Sequence, residues 1–417
     1  MRNRLAELSI LAVGAVVLTA LYLHFGLRLA EGHFLDRWNL AFDLDPGRLV
    51  EIFVLPDEQW KQSTLPPDVA VKHPLLKAMN GLCGLVPLCA DDPKAYTAWV
   101  AALHGVVSSL LMIVCLRLLG LPLPEAVLAG AIFSLSAAQL FNAMIIESYV
   151  MAGTGIAAFL TVTVWTAARG PTRWRWLNLP LAVHLYGITT TNIVIGGLAD
   201  LTTRLLPPRR PGWWKDFLGF WVLCGLAAVG ATLLVWPQLP SILLDDPVRS
   251  VKEVYWAAPH GGEKSIAMVL KAFYPFSIVA PEFTSVSIDS PDPMLDFREM
   301  RYDLLGWLLV AAWLAALAVS VVVLARDRTL LRLLAPFLVV VAFNTVFHMF
   351  FQYRQSVFLY VTHVNFAVFV VSAVVLFRTC RLDRRRRLLC CAAALLFLIG
   401  LAANNLPLAG ELARRFG

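Results

Sequence analysis

The sequence predicts an all-α polytopic membrane protein of about 11 transmembrane helices, including a short broken-helix pair, with two long outer loops carrying interfacial helices. Three observations carry this. Mean hydropathy is +0.70. Hydrophobic residues make up 59% of the chain and charged ones 15%, where soluble domains carry roughly 25% charged residues. Apolar runs of about 20 residues, the length that crosses a hydrocarbon core, recur with arginines between them. The net charge of +7 follows from those arginines. It implies a lipid bilayer as partner and no nucleic acid.

Taken in order, the runs are 8–29, 96–119, 124–145, 148–168, a short pair within 176–203, then 216–236, 303–325, 330–351, 356–378 and 388–404. With Arg2 and Arg4 in the cytoplasm, one set of loops collects Arg169, Arg173 and Arg175, then Arg204, Arg209, Arg210 and Lys215. The same side takes Arg326, Arg328 and Arg332, and finally Arg378, Arg381 and Arg384 to Arg387. The opposite side receives two long loops, 30–95 and 237–302, and nearly all the acids. This is the positive-inside pattern. It makes 1–417 a single transmembrane domain with a cytoplasmic N-terminus. The run ending at Leu29 reads as a first span rather than a cleaved signal, because its apolar core is long and no small-residue cleavage site follows it.

Residues 176–203 lie between two basic flanks and are too few for two complete spans, which need about 40 residues. Gly187, the run Thr189-Thr190-Thr191-Asn192 and the pair Gly196-Gly197 interrupt them. Two short helices meeting inside the membrane fit, since broken backbone is tolerated there only against protein or a cavity. One long tilted helix is the alternative. Cys83 and Cys89 share the first outer loop and suit a disulfide across a bend at Pro87. Cys115, Cys224, Cys380, Cys390 and Cys391 lie in or near spans, and no cysteine spacing of metal-site type occurs.

The charges at the membrane boundary are the candidate functional groups. Phe42-Asp43-Leu44-Asp45-Pro46-Gly47-Arg48 opens the first outer loop. Asp45 suits an N-cap before Pro46, or a general base able to take a proton from an acceptor hydroxyl. Arg48 lies one turn on and would hold that carboxylate ionised. Lys72 and His73, before Pro74-Leu75, are ordinary loop residues or a phosphate site at the positive end of a helix. Glu147 is the acid between two consecutive spans, where a carboxylate is a functional candidate by default, or simply a polar turn. Arg354 is the matching cation at a late outer junction, followed by Tyr360 and His363 one turn apart. It suits a phosphate anchor, or a side chain snorkelling to the headgroups. His104, His184 and His348 read as structural.

Together these parts resemble the GT-C superfamily of polytopic glycosyltransferases, in particular bacterial relatives of the protein O-mannosyltransferase and aminoarabinose-lipid A transferase group. The resemblance rests on the inward-starting first span, the acid-opened outer loop, His73-Pro74-Leu75, Glu147, the broken-helix pair, Arg354 and Phe358-Leu359-Tyr360. It implies Asp45 as catalytic base with Asp43 second, and Glu147 as a second outer acid that orients the acceptor. It further implies Arg354 on the donor phosphate, with Lys72, His73, Arg48, Tyr360 and His363 in support. The chain departs from the commonest pattern in lacking an Asp-Glu pair in the first loop. It also has Leu75 where a second proline is usual, and no clear lysine over 187–192.

The implied reaction moves a sugar from a polyprenyl-phosphate donor to a membrane lipid, glycan or protein acceptor. It would occur at the periplasmic face of a bacterial inner membrane, with inversion at the sugar carbon. A phosphate leaving group needs charge neutralisation more than protonation, so cations replace a general acid, and one base suffices where a hydrolase needs a spaced pair. No cofactor is implied with certainty. Carboxylates can recruit Mg²⁺ or Mn²⁺, and no metal-site pattern compels one. Tyr255, Trp256, His260, Gly261 and Gly262 suit an acceptor lid or an aromatic belt. The alternative class is a lipid-linked sugar flippase, a polymerase or ligase, or a small-molecule transporter. A transporter would place its polar residues at mid-membrane rather than at one boundary.

Overall fold

The computed structural model describes residues 2–36, 40–44, 50, 85–169, 175–188, 192–205, 212–235, 266–286, 293–350, 356–381 and 383–417. The chain opens with α1 (Arg2–Glu31), then α2 (Pro87–Asp91), α3 (Pro93–Leu118), α4 (Leu123–Leu135), α5 (Ala137–Met144) and α6 (Ser148–Arg169). Two short helices follow, α7 (Asn178–Ile188) and α8 (Asn192–Leu205), then α9 (Trp213–Val235) and α10 (Ile266–Lys271). A π-turn at Ala272–Phe276 leads to a hairpin of β1 (Thr284–Val286) and β2 (Met294–Asp296). The last four helices are α11 (Leu304–Arg326), α12 (Arg328–Phe350), α13 (Thr362–Cys380) and α14 (Arg384–Phe416).

Among the described residues, eight helices are long and apolar enough to cross a membrane, or up to nine with the bent pair α4–α5 counted as one span. The protein is therefore a multi-pass, all-α membrane protein. The short pair was expected within 176–203. There α7 and α8 have 11 and 14 residues. At 1.5 Å per residue they reach roughly 17 and 21 Å, short of a core about 30 Å thick. A pair of short helices is thus present as expected, while the turn 189–191 lies outside the described residues. The final helix, 33 residues long, runs well past the expected 388–404.

The run 124–145, read as one span, is bent by 61°. Ser136 adopts extended backbone and its hydroxyl accepts from Gln139 N, so helix α5 restarts with its own N-cap. Restarting a helix exposes N–H donors that a membrane interior cannot hydrate. They are met by backbone instead: Ala137 N and Ala138 N donate to Ile278 O and Ser277 O, each at 2.9 Å. Asn405, on α14 and fully buried, closes the junction. Its Nδ2 donates to Leu135 O and Ile278 O at 2.8 Å, and its Oδ1 accepts from Ala280 N at 2.9 Å.

The helices pack around α13. The span Phe358–Cys380 is 94% buried in its most apolar window, against 17% for α9 and α14, which present leucine and valine outward. Helix α3 packs on α1, α4 and α6, while α13 packs on α6, α11 and α12. Close approach depends on small residues. A Cβ at Gly105 would collide with Ala143, and one at Gly153 would stand 3.0 Å from Thr362 Cβ.

Two ends can be distinguished by their contacts. At one, Arg117 pairs with Glu7 at 2.6 Å, Arg378 and Arg381 donate to Leu119 O and Gly120 O, and Arg387 holds the buried Glu125 at 2.6 Å. At the other, His33 N donates to Phe416 O and Lys94 pairs with Asp36 at 2.7 Å. Cys89 is disulfide-bonded. Its expected partner Cys83 lies outside the described residues.

Candidate functional site at the membrane boundary

Residues 40–44 join the hairpin as a third extended segment. Leu295 N donates to Leu40 O at 2.9 Å and Phe42 N to Leu295 O at 2.8 Å, a parallel bridge beside the antiparallel pairing Thr284↔Asp296. The chain then reverses through two consecutive left-handed residues, Phe42 at φ 54° and Asp43 at φ 56°. A side chain bearing a Cβ seldom adopts that conformation, and each instance costs about 1–3 kcal/mol. The surroundings hold it in place. Phe42 is buried against Phe297 and Phe358, both at 4.8 Å, and against Phe141 at 5.5 Å. Asp43 N donates to Met294 Sδ at 2.9 Å. The carboxylate of Asp43 is thereby kept at a defined, 6% exposed position.

Phe42 thus welds three distant segments: residues 40–44, the stretch from β2 to Phe297, and the late turn before α13. A second weld lies beside it. Asp296, buried, accepts from Ser356 Oγ at 2.7 Å and Phe297 N at 2.9 Å through Oδ1, and from Arg298 Nε at 2.8 Å through Oδ2. Burial raises its carboxyl above the usual range, and Ser356 and Arg298 partly oppose that rise.

Glu147 sits in the short connector between α5 and α6, 5% exposed, with Ser148 N donating to its Oε2. It is joined to the late turn by its neighbour Tyr149, whose ring stands 5.3 Å from Tyr360 and 5.8 Å from His363. Tyr360 in turn stacks on His348 at 4.2 Å, and His348 Nε2 lies 3.4 Å from His363 Nδ1. One of those two nitrogens carries the shared proton, so the tautomer of each ring fixes that of the other.

Of the residues expected from sequence, Asp43, Glu147, Tyr360 and His363 are therefore gathered around the turn that opens α13. Tyr360 and His363 stand with ring centroids 6.2 Å apart, on one side as their spacing required. Asp45, Arg48, Lys72, His73 and Arg354 lie outside the described residues, as does the Tyr255–Gly262 segment. Five further members were not anticipated: Tyr149, Asp296, Arg298, Ser356 and His348, the last read from sequence as structural. Asp296-Phe297-Arg298 carried one usable signal, an acid and a cation two apart inside the long loop 237–302. Among the described residues no three His, Cys, Asp or Glu side chains gather as a metal site.

The fold is that of a multi-pass helical membrane protein, with acids, imidazoles and a guanidinium gathered around the turn that opens α13. Neither a protein-family model nor a curated protein matches the sequence.

Proposed function

We propose that the chain is a membrane glycosyltransferase that moves a sugar from a polyprenyl-phosphate donor to a lipid, glycan or protein acceptor, with inversion. The observation that carries this is the buried acid Asp43 on paired left-handed backbone, locked to β2 and to the turn that precedes Tyr360 and His363. Strain of this kind clusters at working sites. The acid loop supplies the base, Asp45 with Asp43 second. The base removes the acceptor hydroxyl proton, the acceptor oxygen attacks the anomeric carbon, and the carbon–oxygen bond to phosphate breaks. Polyprenyl phosphate leaves with its charge met by Arg354, Lys72, His73 and Arg48. Glu147 orients the acceptor. The arginine-rich end faces the cytoplasm and the site faces the periplasm of a bacterial inner membrane.

Transport is the competing class. It requires a substrate-sized polar cavity near mid-membrane. The acids and rings that support the reading gather instead around the turn that opens α13, at the end of that helix. The experiment uses purified protein with radiolabelled polyprenyl-phosphate sugars and a membrane extract as acceptor. Wild type is run beside Asp45→Asn, Glu147→Gln and Arg354→Ala, each checked for intact folding. Transfer by wild type that is lost in Asp45→Asn, with donor binding retained, supports the proposal. No donor bound or consumed by wild type overturns it.

A further inference from the structure

Beneath the boundary site, inside the bundle, a small cavity is lined by five neutral polar side chains: Ser108 on α3, Gln139 on α5, Thr154 on α6, and Thr362 and Asn365 on α13. Most of their hydrogen bonds are accounted for. Thr154 Oγ1 lies 2.9 Å from Val150 O and 3.0 Å from His104 O, Gln139 Nε2 donates to Gly105 O at 2.8 Å, and Asn365 Nδ2 donates to Ser136 Oγ at 3.3 Å. Two atoms remain without a partner, Thr362 Oγ1 and Asn365 Oδ1. Their residues are only 8% and 3% exposed. An unsatisfied buried hydroxyl or amide oxygen costs about 1–3 kcal/mol, and in a membrane interior no bulk water relieves it.

The cavity volume is about 10 Å³, counted as the space in which the centre of a water-sized sphere can move. One water requires roughly 10–15 Å³ by that measure, together with two to four polar partners. The two orphaned atoms supply a donor and an acceptor, since Thr362 has a hydroxyl proton to give and Asn365 Oδ1 has lone pairs to offer. We infer that this cavity is a binding site for a single ordered water, which accepts from Thr362 Oγ1 and donates to Asn365 Oδ1. It completes the hydrogen bonding of Asn365, whose other end grips Ser136 at the break between α4 and α5. A bare cation fits the site less well. The lining has no carboxylate, and an uncompensated charge at this depth is costly.

The test is X-ray hydroxyl-radical footprinting of the whole protein in detergent, in oxygen-18 water, read by peptide mass spectrometry. Radiolysis of a bound water labels side chains around it even where bulk solvent does not reach. Phe133 and Phe366 line the cavity and are 1% and 2% exposed. Phe159 and Phe337 are equally buried and do not line it. The expected result is labelling of Phe133 and Phe366 several-fold above Phe159 and Phe337, falling to their level in the double variant Thr362→Val with Asn365→Leu. Equal labelling of all four phenylalanines in wild type means a dry cavity and overturns the inference. So does labelling that persists in the double variant. Should that variant fail to fold, the wild-type comparison decides alone. A melting temperature raised by sodium over choline, and lost in Asn365→Leu, would assign the site to a cation instead.

Discussion

Ser356 Oγ donates a 2.7 Å hydrogen bond to Asp296 Oδ1, tying the turn before α13 to the β1–β2 hairpin. The same carboxylate also receives Arg298 Nε and Phe297 N. Removing it leaves three donors short of an acceptor in a buried setting. Asp296→Ala is therefore expected to destabilise by about 3 kcal/mol or more, read as a lower melting temperature in detergent. Ser356→Ala, which removes one donor and leaves the acid its other two, should cost only about 1 kcal/mol.

Asp296 also predicts a pH dependence. Burial raises its folded-state pKa above the usual carboxylate value, so the folded chain holds this proton more tightly than the unfolded one. The resulting stability is fully present below the unfolded pKa of about 3.9. It declines as pH rises from there through the folded pKa, and is flat above. In Asp296→Asn that declining component disappears, and a pH series of melting temperatures for the two proteins measures it.

The Phe42 side chain holds the acid loop by packing against Phe141, Phe297 and Phe358. Phe42→Ala is expected to cost about 3–5 kcal/mol and to lower transfer further than stability accounts for, because the Asp43 backbone loses its support. Asp43→Asn separates the two roles. Asn tolerates the left-handed region, so the fold should persist while transfer falls about 10²–10⁴-fold if Asp43 is the base. A fall well short of that range excludes Asp43 as the base.

Asn405 meets three backbone groups at the helix break. Asn405→Leu is nearly isosteric but strands Leu135 O, Ile278 O and Ala280 N, and about 3 kcal/mol or more should be lost. The measurement is thermal unfolding, with Asn404→Leu as the comparison expected to do less harm. Asn404 is only partly buried, and only its bond to Ala280 O reaches backbone.

At the opposite end, Arg387 is the cation on the fully buried Glu125. Arg387→Ala should lower the melting temperature more than Arg386→Ala does, and Glu125→Gln in the Arg387→Ala background should recover part of the loss. No recovery would mean that the pair contributes through packing rather than charge.

The spans were legible in the sequence because hydropathy is a local property, carried by each run on its own. The break at Ser136 was not, since 124–145 is apolar enough on average to read as one span and has neither proline nor glycine at the bend. What breaks it is tertiary: carbonyls at Ser277 and Ile278 and the amide of Asn405, 125 or more positions away. The site divides in the same manner. Asp43, Glu147, Tyr360 and His363 announced themselves as polar groups at apolar edges. Asp296, Ser356 and His348 acquire meaning only from partners that no spacing rule relates to them, and His348 on its own looks like any histidine near the end of a helix.

The near-complete enclosure of α13 has a consequence for how the protein can work. One terminus of this helix opens beside Tyr360 and His363, and the other ends where Arg378 and Arg381 grip the backbone of Leu119 and Gly120. A close-packed helix with no lipid-facing side cannot slide or swivel without displacing every neighbour at once. It behaves as a mast rather than a lever. Any opening of the bundle must then come from loops and peripheral helices moving around it, while the residues at its head stay still.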